Sequence, residues 1–306
     1  MLATLSHYLD SVRAGLKLGF SEEKEVIAEL ETHVEDRLQE FMESGLSEEE
    51  AGNNCLGILG SARLVARQLY EAHSQGTWRQ TLLAASPHIL FALLFVLNWW
   101  QGAGWLLITL VLVLSAAMYG WCHGKPTWLF PWLGYSFLPV IVAGLFLLYL
   151  PAGWSWLAIL LYIPLALWLL LSIIVQTIKR DWLYTSLMLL PIPIIVGWLL
   201  AVEPTGRFPE YDIDRLYGLA PWIGLSFLAL ALAVAIFIRL RRRRLKVTVL
   251  LVTGLLTLVM VGAFAEGKLT LVAFMLLILL MLGLFLAPAL LERGIKHRWR
   301  QASSVR

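Results

Sequence analysis

Ionised side chains are scarce in this sequence: only 15% of the 306 residues are Asp, Glu, Lys or Arg, while 59% are apolar. That balance excludes an ordinary soluble domain and requires a lipid solvent for much of the chain. Cysteine is nearly absent. Cys55 and Cys122 are too few for a disulfide framework or a thiolate metal cluster, so buried apolar thiols are expected at both. No glycine-rich phosphate loop and no nucleophile elbow occur, which argues against an ATPase or a serine hydrolase. Residues 1–80 carry charges throughout and lack a short apolar core with a cleavage site. They are therefore expected to remain in the mature protein.

The charge that exists is segregated. Residues 1–80 hold seven Lys/Arg against fourteen Asp/Glu, and the remainder holds seventeen against seven, so a net −7 precedes a net +10. Uncharged stretches then measure the membrane spans, because a crossing needs about twenty apolar residues with every backbone group bonded internally. Between Arg79 and Lys125 lie 45 uncharged residues, and between Lys125 and Lys179 lie 53, each room for two crossings. The uncharged returns read as Trp99-Trp100-Gln101-Gly102 and Pro151-Ala152-Gly153-Trp154. Single-length gaps follow at 182–202, 216–238, 247–265 and 269–291.

The pattern predicts an all-α polytopic membrane bundle of about eight helices: about 81–99, 104–122, 128–150, 154–176, 182–202, 219–239, 246–265 and 268–290. A small acidic helical domain over 1–78 precedes the membrane region, 79–292, and a basic tail, 293–306, follows it. With both ends in the cytoplasm, 21 of the 24 Lys/Arg fall on the inner side and three on the outer. This is the distribution retained positive charge imposes. Several of the fourteen tryptophans, among them Trp78, Trp128 and Trp182, stand near span ends, where an indole is half solvated.

Within the acidic domain, Leu5, Leu9, Val12 and Leu16 form one helical stripe over 3–19. A second stripe runs Val26/Ile27, Leu30, Val34, Leu38 and Phe41 from a start at Ser21, and Gly45 ends it. Ser47-Glu48-Glu49-Glu50 is a capping box opening a third helix that stops at Gly60, and Ser61 starts a fourth. The ordered blocks "YLDSVRAGL", "EKEVIAELETHVEDRL", "GLSEEEA" and "LGSARLVARQLYEA" resemble the helix-turn-helix-associated α-helical signalling domain (HAAS), also called the permease prefix domain. The resemblance covers about residues 1–75. It implies a bacterial cytoplasmic module preceding membrane segments and linked with PadR-like transcription regulators.

Candidate sites are few. The run Arg239, Arg241, Arg242, Arg243, Arg244 and Lys246 could hold anionic lipid headgroups or dock the acidic domain, although a plain topology anchor explains it more simply. The longest outer loop carries Glu210, Tyr211, Asp212 and Asp214, where a cation or amphipathic ligand could bind, although an acidic solvated loop is the plainer reading. Pro191 and Pro193 mark a bent helix that could line a cavity. Ala116/Gly120 and Gly254/Gly262 suit close helix packing. No Asp, Glu, Lys or Arg lies in a span core, which argues against an ion-coupled transporter.

His88 is the ionisable imidazole within a span, placed near the inner end of the first, where a hydrogen-bonded interfacial histidine is expected. Glu29 and His33 share a face at i, i+4 without a third ligand and read as a surface pair. No cofactor, metal or catalytic residue is expected, nor an enzyme activity, nor direct nucleic-acid binding. The expected partners are membrane lipids and a PadR-like regulator, with a homo-oligomer left open. The expected role is a signalling component of the bacterial inner membrane, with a permease or lipid-handling subunit as the alternative.

Overall fold

A computed structural model describes residues 3–16, 18, 20–148, 155–202, 213–265 and 269–303, and every regular element among them is helical. The chain forms two compact units, Met1–Gly76 with Leu240–Arg242, and Thr77–Arg239 with Arg243–Arg306.

The first unit comprises α1 (Ala3–Gly15), α2 (Phe20–Glu43), α3 (Glu48–Leu59) and α4 (Ala62–His73). Its core is the set of stripes read from periodicity: Leu5, Leu9, Val12, Leu16, Val26, Ile27 and Val34 are buried, joined by Cys55, Ala66 and Tyr70. Gly45 ends α2 at φ +93°, a conformation few side-chain-bearing residues adopt, and Leu46 N–H bonds back to the Phe41 carbonyl. Ser47 and Glu50 make the reciprocal capping box at the start of α3, and the Ser61 hydroxyl caps α4. The first helix ends at Gly15, shorter than the stripe suggested.

The second unit begins where Thr77 and Gln80 form another capping box. Its helices are α5 (Trp78–Val96), α6 (Ala103–Cys122), α7 (Leu129–Leu148), α8 (Ser155–Arg180), α9 (Trp182–Leu189), α10 (Pro191–Val202), α11 (Ile213–Arg239), α12 (Arg243–Phe264) and α13 (Leu271–Ser303). Among the described residues seven segments are long and apolar enough to cross a membrane, α9 and α10 together making one of them. Helix α7 is a further apolar helix, whose described apolar stretch is the shorter Leu129–Val140. The single span expected over 182–202 breaks at Leu190, because Pro191 has no N–H to continue the ladder.

Burial sorts the helices into centre and periphery. The α9–α10 segment is 72% enclosed by protein, whereas the α8 window is 11% enclosed and presents Leu160, Leu161, Leu165 and Trp168 outward. An outward apolar surface of this extent requires lipid. Close packing at the centre depends on two glycines. A Cβ at Gly134 on α7 would land on the Met188 carbonyl of α9, and one at Gly224 on α11 would strike Val96 of α5. Gly120, Gly254 and Gly262 likewise lie against neighbouring side chains, those of Leu129, Met281 and Phe274.

One expectation is corrected. Cys122 is exposed, because it sits on the last turn of α6, whereas Cys55 is buried as expected. The last helix runs on to Ser303, so the basic tail is helical over its described residues and continues α13. No proline after Pro288 interrupts it.

Candidate functional site

The ionisable residues that matter gather at one end of the second unit, the end bearing the starts of α5, α9 and α12. Asp181 follows Arg180 in extended backbone and caps α9, its carboxylate accepting from Leu183 N–H at 3.1 Å. The same carboxylate takes a bidentate pair from Arg243 at the start of α12, with Nη2 to Oδ1 at 2.7 Å and Nη1 to Oδ2 at 3.1 Å. Asp181 is 1% exposed and Arg243 30%, so the pair sits where solvent reaches only the guanidinium. Trp182 lies under that guanidinium, 5.7 Å from its ring centre. One turn into α12, Lys246 is buried, its ammonium 5.2 Å from the centre of the Phe237 ring. Glu292 on α13 is buried as well.

The span cores remain free of Asp, Glu, Lys and Arg among the described residues, as expected, but the sequence gaps ended at these residues and so treated them as solvated flanks, whereas helix packing buries Asp181, Lys246 and Glu292. Asp181 was legible in one respect: an Asp directly before Trp-Leu-Tyr-Thr is an N-cap signature. Nothing in the sequence announced its partner 62 residues away.

The basic run does not act as one patch. Arg239 closes α11 and stacks over Trp78 at 4.5 Å. Leu240–Arg242 belongs to the first unit, where Arg241 Nε donates to the Gln75 amide oxygen at 3.0 Å and its carbonyl accepts from the Ser74 hydroxyl at 3.2 Å. Arg242 and Arg244 are exposed. The six residues thus split among a helix end, a linker, an ion pair, an exposed side chain on α12 and a buried ammonium.

Compared with protein-family models, with curated proteins and with solved structures, the chain matches none.

The other expected sites resolve as follows. Glu210, Tyr211 and Asp212 lie outside the described residues, and Asp214 is exposed in the first turn of α11, where the helix dipole favours an acid. Beside it, Arg215 donates to the carbonyls of Ala201 and Ala265 at 2.6 and 2.7 Å, tying off the ends of α10 and α12. Pro191 and Pro193 are buried, and Pro193 borders a void of about 10 Å³ with Ser186, Leu250 and Phe285. That is room for roughly one water and excludes a substrate cavity there.

His88 lies near the middle of α5, not at its end. It is fully enclosed, hydrogen-bonded through Nδ1 to the Tyr135 hydroxyl, with Phe91 stacked on the tyrosine ring. It is a core residue and not an interfacial one. Glu29 and His33 form an exposed surface pair at 4.0 Å. Among the described residues no three His, Cys, Asp or Glu side chains gather as a metal site would require.

Proposed function

We propose that this chain is a signalling component of the bacterial inner membrane, with both ends in the cytoplasm. In this reading the helical bundle responds to a state of the bilayer or envelope, and the first unit passes that state to a PadR-like transcription regulator. One observation supports it above the resemblance of residues 1–75 to HAAS domains: the three-residue connection between α11 and α12 is built into the first unit, bonded to Ser74 and Gln75. Covalent continuity then makes any relative motion of α11 and α12 pull on that unit. The Asp181–Arg243 pair, anchored at the next residue, is the element whose making or breaking would set two states.

The test uses the full-length protein in detergent and a purified PadR-like regulator from the same genome. Binding at micromolar concentration that is lost on deleting Met1–Gly76 is the expected result, and no binding by the intact chain overturns the proposal. A second reading, a permease or lipid-handling subunit governed by its prefix domain, draws on the proline-broken α9–α10 segment at the centre of the bundle. Movement of lipid or solute across vesicles containing the protein alone would favour it.

A further inference from the structure

An open groove of about 750 Å³ runs along the outer surface of α5, α6 and α7. Its volume falls within the range of small-molecule sites, about 300–1,000 Å³. Its lining is sorted by chemistry along its length. At one end stand Arg79, Tyr119 and Trp128, and from there Ala116, Leu112 and Leu107 continue an apolar floor along α6.

The twelve steps from Leu107 to Tyr119 rise about 18 Å along the helix axis. One leaflet of hydrocarbon is about half of a core roughly 30 Å thick. The groove therefore matches the depth of one leaflet, with its polar end at the headgroup level. Trp132 fixes the wall between α5 and α7 by donating its indole N–H to the Leu83 carbonyl at 2.8 Å, so this wall is fastened before any occupant arrives. Arg79 is exposed, and among the described residues of the second unit no carboxylate pairs with it. A guanidinium above an apolar channel of leaflet depth complements one ligand class, a lipid with an anionic phosphate headgroup.

We infer that the groove is a binding site for one anionic phospholipid. Its phosphate sits on Arg79, flanked by Tyr119 and Trp128, and one acyl chain lies over Ala116, Leu112 and Leu107. Arginine, as against lysine, gives the phosphate two parallel donors. This site stands independently of the proposed relay, since it requires neither the first unit nor a regulator.

The experiment is native mass spectrometry of the full-length protein released from nanodiscs of equal phosphatidylglycerol and phosphatidylcholine. The expected result is one retained phosphatidylglycerol per chain. Arg79→Gln should lower that retention about fivefold, the weight of one basic side chain at an anionic surface, and Arg79→Lys, which keeps the charge but loses the two parallel donors, should fall between that variant and the unchanged protein. Arg63→Gln, an exposed cation outside the groove and outside the basic run, should leave retention unchanged. Leu112→Trp, which fills the apolar floor, should lower retention of both lipids with Arg79 intact. Equal retention of the two lipids by the unchanged protein overturns the inference. So does an equal loss with Arg79→Gln and Arg63→Gln, which would mark a diffuse surface charge.

Discussion

Asp181 carries three contacts on one carboxylate, two to Arg243 and one to the Leu183 N–H, while almost wholly withdrawn from solvent. Removing one partner of such a pair leaves a buried charge uncompensated, at about 3–5 kcal/mol, whereas removing both costs much less. Arg243→Gln and Asp181→Asn should each lower the melting temperature of the detergent-solubilised protein. The double variant should recover much of that loss, and simple additivity of the two would rule out a coupled pair. At Gly134 the constraint is steric. Gly134→Ala places a methyl group on the Met188 carbonyl, so a loss of about 1–3 kcal/mol is expected in the same melting assay. Neither feature was readable in the residues themselves. Asp181 ended an uncharged run and Gly134 sat inside one, and only the approach of α12 and α9 gives each its role. The small-residue pair at 116 and 120 was readable because its spacing lies on one helix.

At the level of helices, local chemistry was far more legible. The starts of α3 and α4 follow from Ser47 and Ser61, whose hydroxyls satisfy N–H groups that a helix leaves open. Ser47→Ala should cost the first unit about 1 kcal/mol, seen as faster hydrogen exchange in the first turns of α3. The bonds from Ser47 to Glu50 hold that carboxyl below its ordinary value. A depressed folded value means the contribution is present at neutral pH and fades as pH falls from about 4.5. Exchange protection of α3 should therefore drop in acid, and Glu50→Gln should flatten that dependence. In the middle of α3, burial pushes the Cys55 thiol up, so it should alkylate slowly at pH 8 while exposed Cys122 reacts first. Simultaneous labelling of both would contradict the packing of Cys55. The break at Leu190 was legible too, in Pro191 and Pro193, whereas the run of α13 through to Ser303 was not, because the basic residues after Glu292 read as a tail and carry no local helix signal.

For the molecule as a whole, the distribution of charge was sufficient to expect an all-helical bundle with multiple crossings, since long uncharged runs have no other stable solvent. It was insufficient to say which crossing lies innermost, because the α9–α10 segment and the lipid-facing α8 have similar composition, with mean hydropathy 2.1 in both windows. The proposed threading makes a separate prediction. A reporter fused after Arg242 and another after Tyr211 should fall on opposite sides of the bilayer, and the same side for both would overturn it. The enclosed α9–α10 segment also constrains how the protein is made. A stretch as oily as the lipid-facing α8 must first be accepted by the bilayer as an independent crossing, and only afterwards surrender its lipid contacts to its siblings. Assembly of this bundle is then a late event inside the membrane, and its timing, more than the insertion of any one helix, governs whether the buried ion pair at its rim closes.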